Sequence, residues 1–116
     1  METDMPIVAA DIRNLESHVA AATRLLRVLA NDRRLAILCE LTEGERSVSD
    51  LVASIGLRQS ALSQHLAKLR AAGVVATRRD AQTIYYRLAD PAAEAVMVNL
   101  AGIYCRPAGS RKRRQV

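Results

Sequence analysis

Two cysteines, Cys39 and Cys105, are the residues of this chain best suited to covalent chemistry. They stand 66 residues apart, and a thiolate can attack sulfur, join a disulfide or ligate a soft metal. Projected at 100° per residue, Ile37, Leu41, Leu38 and Leu35 form an apolar arc. Cys39 falls at its edge, shielded but reachable. Cys105 follows Ile103 and Tyr104 at the end of the last apolar-periodic segment. Residue type alone leaves two readings open: a pair of buried, inert hydrophobes, the usual state of cytosolic thiols, or a reactive pair. Local charge does not rank the thiols. Glu40 and Glu43 disfavour an anion at Cys39, a helix C-terminus disfavours one at Cys105, and Arg106 favours it. No phosphate-binding glycine loop, carboxylate pair on one face or converging Cys–His arrangement is visible, so the chain reads as a non-enzyme without a cofactor.

A second constellation could act without covalent bonds. From Gln59 or Ser60 to Gly73 the spacing predicts a helix, with Leu62, Leu66 and Leu69 on a core-facing stripe. Its opposite stripe carries Ser60, Ser63, Gln64, Ala67 and Lys68, short or polar side chains that could enter a DNA groove. Just before it, Ser47-Val48-Ser49-Asp50 has the spacing of a capping box. The short helix it opens buries Val48, Leu51, Val52 and Ile55 and breaks at Gly56-Leu57. Two strand-like runs follow, 74–78 and 83–88, joined by Arg79-Asp80-Ala81-Gln82. Together these predict a helix-turn-helix with a β-hairpin wing.

The remaining elements must hold that module. A helix is expected from about Asp11 to Leu29, with Leu15, Val19, Ala22, Leu26 and Leu29 in one stripe. Asn31-Asp32 then caps a second helix from Arg33 to about Glu43, which ends at Gly44. Asp90 and Pro91 start a last helix that reaches about Tyr104 and offers Val96, Leu100 and Ile103. The expected fold is mainly α with a small β-hairpin, in the order α-α-α-α-β-β-α. Residues 1–10 read as a flexible N-terminus, 11–105 as one DNA-binding and dimerisation domain, and 106–116 as a basic flexible tail. Apolar stripes left over on the first and last helices suggest a two-fold homodimer. Two reading helices about 34 Å apart would then address an inverted repeat in double-stranded DNA.

Composition bounds the partners. The 116 residues suffice for one modest core, and only three aromatics, all Tyr, leave packing to aliphatic side chains. The N-terminus lacks a basic leader and no apolar run approaches the ~18 residues of a membrane span, so a cytoplasmic location without a membrane partner is expected. The formal charge is +5, which suits a polyanion. Subtracting the four charges of Arg111-Lys112-Arg113-Arg114 leaves about +1, so the nucleic-acid reading rests on the motif and not on net charge.

The runs Leu29–Leu38, Gly44–Leu51, Ala61–Leu69 and Gly73–Arg79 together resemble the ArsR/SmtB family of bacterial winged-helix, homodimeric repressors. The resemblance spans about residues 10–105. It implies Ser60, Ser63, Gln64, His65 and Lys68 on the recognition helix and Arg78, Arg79 and Gln82 on the wing as DNA-binding residues. His65 itself reads as packing near DNA, and His18 as a solvated surface position. Where arsenic- and cadmium-type members carry two thiols, this chain has Ser47 and Ser49, poor ligands for soft metals. Where zinc-type members carry His and carboxylates, the last helix offers only Asp90 and Glu94. No metal is therefore expected, and a zinc or arsenite sensor is the weaker alternative. Leu35-Ala36-Ile37-Leu38-Cys39-Glu40-Leu41 and Ile103-Tyr104-Cys105 resemble a branch of that family, the sulfide-responsive repressors of the biofilm-growth-associated type. That resemblance implies that reactive sulfur species join Cys39 to Cys105 within one subunit, as a disulfide or polysulfide, and release the operator. A general redox or peroxide sensor, or an anti-silencing activator of virulence genes, could use the same pair. Departures stand at Asn31-Asp32, where relatives carry His-Pro, and at Ser60, Ala61 and His65, which bear on the operator sequence.

Overall fold

Polar caps divide the chain where the sequence places them. Asn31 is extended, and its side-chain oxygen accepts from Arg33 N at 2.9 Å and Arg34 N at 3.1 Å. Ser47 Oγ accepts from Asp50 N at 3.1 Å, and Asp90 Oδ1 accepts from Ala92 N at 2.9 Å with Pro91 in the first turn. Each bond satisfies a donor that the first helical turn would otherwise leave unpaired. Gly56, at φ +82°, ends the helix of Ser47, and Gly73, at φ +76°, follows the end of the next.

The computed structural model describes residues 9–105, with side chains from residue 11 onward. Its elements are α1 (Ala9–Glu16), α2 (Val19–Leu29), α3 (Asp32–Thr42), β1 (Arg46–Ser47), α4 (Val48–Ile55), α5 (Gln59–Ala71), β2 (Val75–Asp80), β3 (Thr83–Leu88) and α6 (Pro91–Tyr104). The fold is the winged helix-turn-helix expected, α4 and α5 forming the motif and β2–β3 the wing. The basic tail, and all but Ala9 and Ala10 of the expected flexible N-terminus, lie outside the described residues; those two alanines open α1.

Three details differ from expectation. The single first helix is two, broken at Ser17-His18. Ser17 Oγ donates to Asn14 O at 2.7 Å, and His18, at φ −119° and ψ 17°, leaves the helical region. A serine side chain that bonds a nearby carbonyl competes with helix continuation, a signal that apolar periodicity does not contain. The first wing strand begins one residue later and ends two residues later than expected, while the second keeps its expected bounds, leaving a two-residue turn at Ala81-Gln82 with φ +58° at Ala81. Finally, β1 adds a third strand. The sheet order is β1-β3-β2, all antiparallel, with Arg46 opposite Tyr86 and Ser47 opposite Tyr85.

One aliphatic core joins these elements. Ile37, Leu38, Leu51, Leu62, Leu66, Leu69 and Val74 are fully buried, with Leu29, Leu41, Val75, Ala93 and Met97 around them. The last helix is therefore not surplus to the motif: Ala93 and Met97 pack in the core, with Val96 and Leu100 beside them. Its other side stays uncovered. Val98 is 61% exposed and Ile103 63%, and Ile12, Leu15, Val19 and Leu26 on α1 and α2 are about half exposed. Ser47 is buried at 7% exposure, so its cap is shielded from competing water. Ser47→Ala should lower unfolding stability by about 0.5–2 kcal/mol, read from the denaturant midpoint; an unchanged midpoint would show that the cap contributes nothing.

Candidate nucleic-acid interface and dithiol site

The buried stripe of α5 fixes which side faces outward. With Leu62, Leu66 and Leu69 sealed in the core, Ser60, Ser63, Gln64, Ala67 and Lys68 are all exposed on the opposite side. His65 lies between the two and is half-buried. Its Nδ1 is 3.5 Å from an Arg34 nitrogen, while Arg34 Nε donates to Val28 O at 2.6 Å. Burial holds the imidazole below its ordinary pKa, reinforced by the charges of Arg34, Lys68 and Arg33 and opposed by Asp32. A neutral His65 accepting from Arg34 is a packing group that ties α5 to the α2–α3 junction.

The wing contributes unequally. Arg79 is exposed in β2, and Gln82 is exposed in the turn. Gln82 also lines a crevice of about 250 Å³ with Ser49, Gln59 and Thr83, between the wing and the starts of α4 and α5. Arg78 is already engaged. Its Nε donates to Glu45 Oε2 and a terminal nitrogen to Glu45 Oε1, both at 2.8 Å, and its guanidinium carbon lies 4.5 Å from the Tyr85 ring centroid. That bidentate hydrogen bond draws the Glu45 carboxyl below its usual range and pushes the Arg78 guanidinium up. Glu45 was not among the residues singled out from the sequence, because a pair 33 residues apart leaves no local pattern.

Cys39 and Cys105 line one apolar pocket of about 380 Å³, with Leu35, Met97, Leu100, Ala101 and Tyr104. Both thiols are free and exposed in the single chain, not buried as two core hydrophobes would be. Cys39 stands on the outer edge of α3, and Cys105 caps α6, its N–H bonded to Ala101 O at 2.7 Å. The packing of α6 on α3 through Met97 and Leu100 brings two distant positions to one rim. Burial pushes the Cys39 thiol up, and the nearby Cys105 and Glu40 charges push it the same way. Glu40→Gln should therefore speed alkylation of Cys39 at neutral pH, and Glu40→Gln and Cys105→Ser should each move its pH midpoint down. Rates measured across pH that match the parent would show that the two thiols do not sense each other.

Ser47 and Ser49 do not suit a soft metal. Ser47 Oγ is buried and already accepts the Asp50 N–H, and Ser49 offers only a second hydroxyl. Among the described residues no three His, Cys, Asp or Glu side chains cluster to hold an ion.

Residues 31–77 match the family described as bacterial regulatory protein, arsR family. The transcriptional activator HlyU of Vibrio cholerae is 45% identical over 96 residues, covering 83% of this chain and 89% of the relative. The chain belongs to the ArsR family. This ArsR-family regulator is also 39% identical over 107 residues to the biofilm growth-associated repressor of Agrobacterium fabrum, with 92% of each chain covered. Among solved structures, reduced HlyU from Vibrio cholerae superposes with a TM-score of 0.76 at 46% identity, covering 81% of this chain and 99% of that one. The repressor BigR from Xylella fastidiosa gives 0.74 at 38% identity, covering 87% and 100%. The family and these relatives make this chain a DNA-binding transcriptional regulator and not an enzyme. No helix among the described residues is long and apolar enough to cross a membrane.

Proposed function

We propose that this ArsR-family protein is a homodimeric repressor that releases an inverted-repeat operator when reactive sulfur species join Cys39 to Cys105 within one subunit. The observation that carries this reading is the apolar pocket of about 380 Å³ that Cys39 and Cys105 both line. Two thiols and one sulfane sulfur atom give a disulfide and hydrogen sulfide; each further sulfur atom lengthens the bridge by one. The oxidant is a persulfide or polysulfide, whose sulfur is reduced as the thiols are oxidised. A direct disulfide needs Cα atoms about 4.4–6.8 Å apart, and inserted sulfur relaxes that limit.

The bridge acts mechanically. It ties α3, which underlies the reading head through Ile37 and Leu38, to α6, whose outer face would meet the second subunit through Val98 and Ile103. A rotation there changes the separation of two α5 helices that must fit half-sites about one DNA turn apart. Ser60, Ser63, Gln64 and Lys68 on α5 and Arg79 and Gln82 on the wing face the DNA, with His65 packed behind them. The relatives include both an activator and repressors, and a repressor is the reading that links operator release to induction most simply. The test is an operator titration with reduced protein and with protein treated with a persulfide donor. A loss of about 5–150-fold supports the switch; equal affinities rule it out.

A further inference from the structure

The Arg78 side chain crosses the whole sheet. In the order β1-β3-β2, Arg78 on β2 is opposite Tyr85 on β3, and Tyr85 is opposite Ser47 on β1. Glu45 immediately precedes β1. The guanidinium thus reaches over the central strand, lies against the Tyr85 ring and closes on the Glu45 carboxylate beside the far strand. Both carboxylate oxygens and two guanidinium nitrogens are used at 2.8 Å, the fork geometry that gives an arginine–carboxylate pair direction as well as attraction. Ordinary exposed ion pairs contribute little, but bidentate pairs that are also stacked are the exception. Beyond Arg78 the wing tip is exposed at every position from Arg79 through Asp80, Ala81 and Gln82 to Thr83.

Resting on the reading that the wing meets DNA, we propose that Arg78 is a positioning residue. It straps the wing to β1 through Glu45, sets the angle of the hairpin against α5, and lends no charge of its own to a phosphate. The wing's phosphate charge then comes from Arg79, which is exposed on the same strand beyond the strap. A carboxylate on a surface that meets a polyanion is otherwise a liability. Glu45 is compatible with such a surface because its charge is matched by Arg78 and lies close to Arg87.

The strap and a direct phosphate contact predict opposite signs. Operator affinity is measured against salt concentration for the parent, Glu45→Gln, Arg78→Gln, Arg78→Lys, the Glu45→Gln/Arg78→Gln double variant and Arg79→Gln, with thermal unfolding as a check on folding. If Arg78 is a strap, Glu45→Gln and Arg78→Gln each weaken binding about three- to fivefold. The double variant is then no weaker than either single one, and the salt slope stays that of the parent. Arg78→Lys keeps the charge but cannot bond bidentately, so it fails to rescue. Arg79→Gln, in contrast, lowers the slope by about one. If Glu45→Gln tightens binding, or Arg78→Lys retains full affinity while Arg78→Gln lowers the slope, Arg78 is a phosphate contact and the strap is overturned. Neutral Glu45 and Arg78 variants beside a weakened Arg79→Gln also overturn the strap, yet leave the wing on DNA. Neutrality of all of them, Arg79→Gln included, removes the wing from the interface altogether.

Discussion

Cys105→Ser protein will bind operator DNA as tightly as the reduced parent and will stay bound after treatment with a persulfide donor. The residue is exposed at the end of α6, so its sulfur can be exchanged for oxygen without disturbing the core. The parent, treated alike, should lose about 5–150-fold in affinity, the range of a 1–3 kcal/mol coupling between two sites. Cys39→Ser should behave the same way, because a bridge within one subunit needs both ends. Gel shifts at matched salt check both variants. Release of DNA by either single-cysteine protein would show that one modified thiol suffices and that no bridge is required.

The second large effect concerns assembly. Leu26→Glu combined with Val98→Glu should yield a folded monomer, because neither side chain is in the core and their exposures are 55% and 61%. A charge on each would have to be desolvated to bury the α1–α2 and α6 surfaces against a second subunit. Loss of the second reading head converts a two-site grip into a one-site contact and should weaken operator binding about a hundredfold or more. Analytical ultracentrifugation and a DNA titration give the two readouts, and circular dichroism shows that the helices remain. A double variant that still sediments as a dimer would move the interface elsewhere on the molecule. A monomer that binds the inverted repeat as well as the parent would remove dimerisation from the account of recognition.

Much of the fold is written locally. Asn31, Ser47 and Asp90 cap helices because short polar side chains reach N–H groups two or three residues ahead, and that geometry is visible in sequence. Leu62, Leu66 and Leu69 orient α5 through helical periodicity alone, which is why the exposed side of Ser60, Ser63, Gln64 and Lys68 follows directly. The break at Ser17-His18 was not legible, because the apolar stripe runs through it while a serine hydroxyl takes a backbone carbonyl. The short β1 strand was not either. Two residues carry no alternation, and their ladder depends on Tyr85 and Tyr86, far along the chain.

The sites divide along the same line. The reading face depends on one helix and was legible; the strap between Glu45 and Arg78 depends on three strands and was not. Residue chemistry could identify Cys39 and Cys105 as reactive candidates but could not pair them, and only the resemblance implied that they act together. The structure brings both to one pocket by tertiary packing, with Leu35 from α3 and Met97 and Leu100 from α6 lining it beside them. Apolar periodicity had set Cys39 at the edge of its arc, shielded but reachable, and it does stand at the edge of α3, but exposed.

The switch requires the two sulfur atoms to become linked within one subunit. Persulfide-treated protein, analysed intact and after digestion without reductant, tests it most directly. A bridged subunit has the mass of one chain less two hydrogens, plus any whole sulfur atoms inserted in the bridge, and digestion yields a linked peptide pair containing Cys39 and Cys105. A covalent dimer, or two independently modified cysteines with no linked pair in protein that has released its DNA, would contradict it.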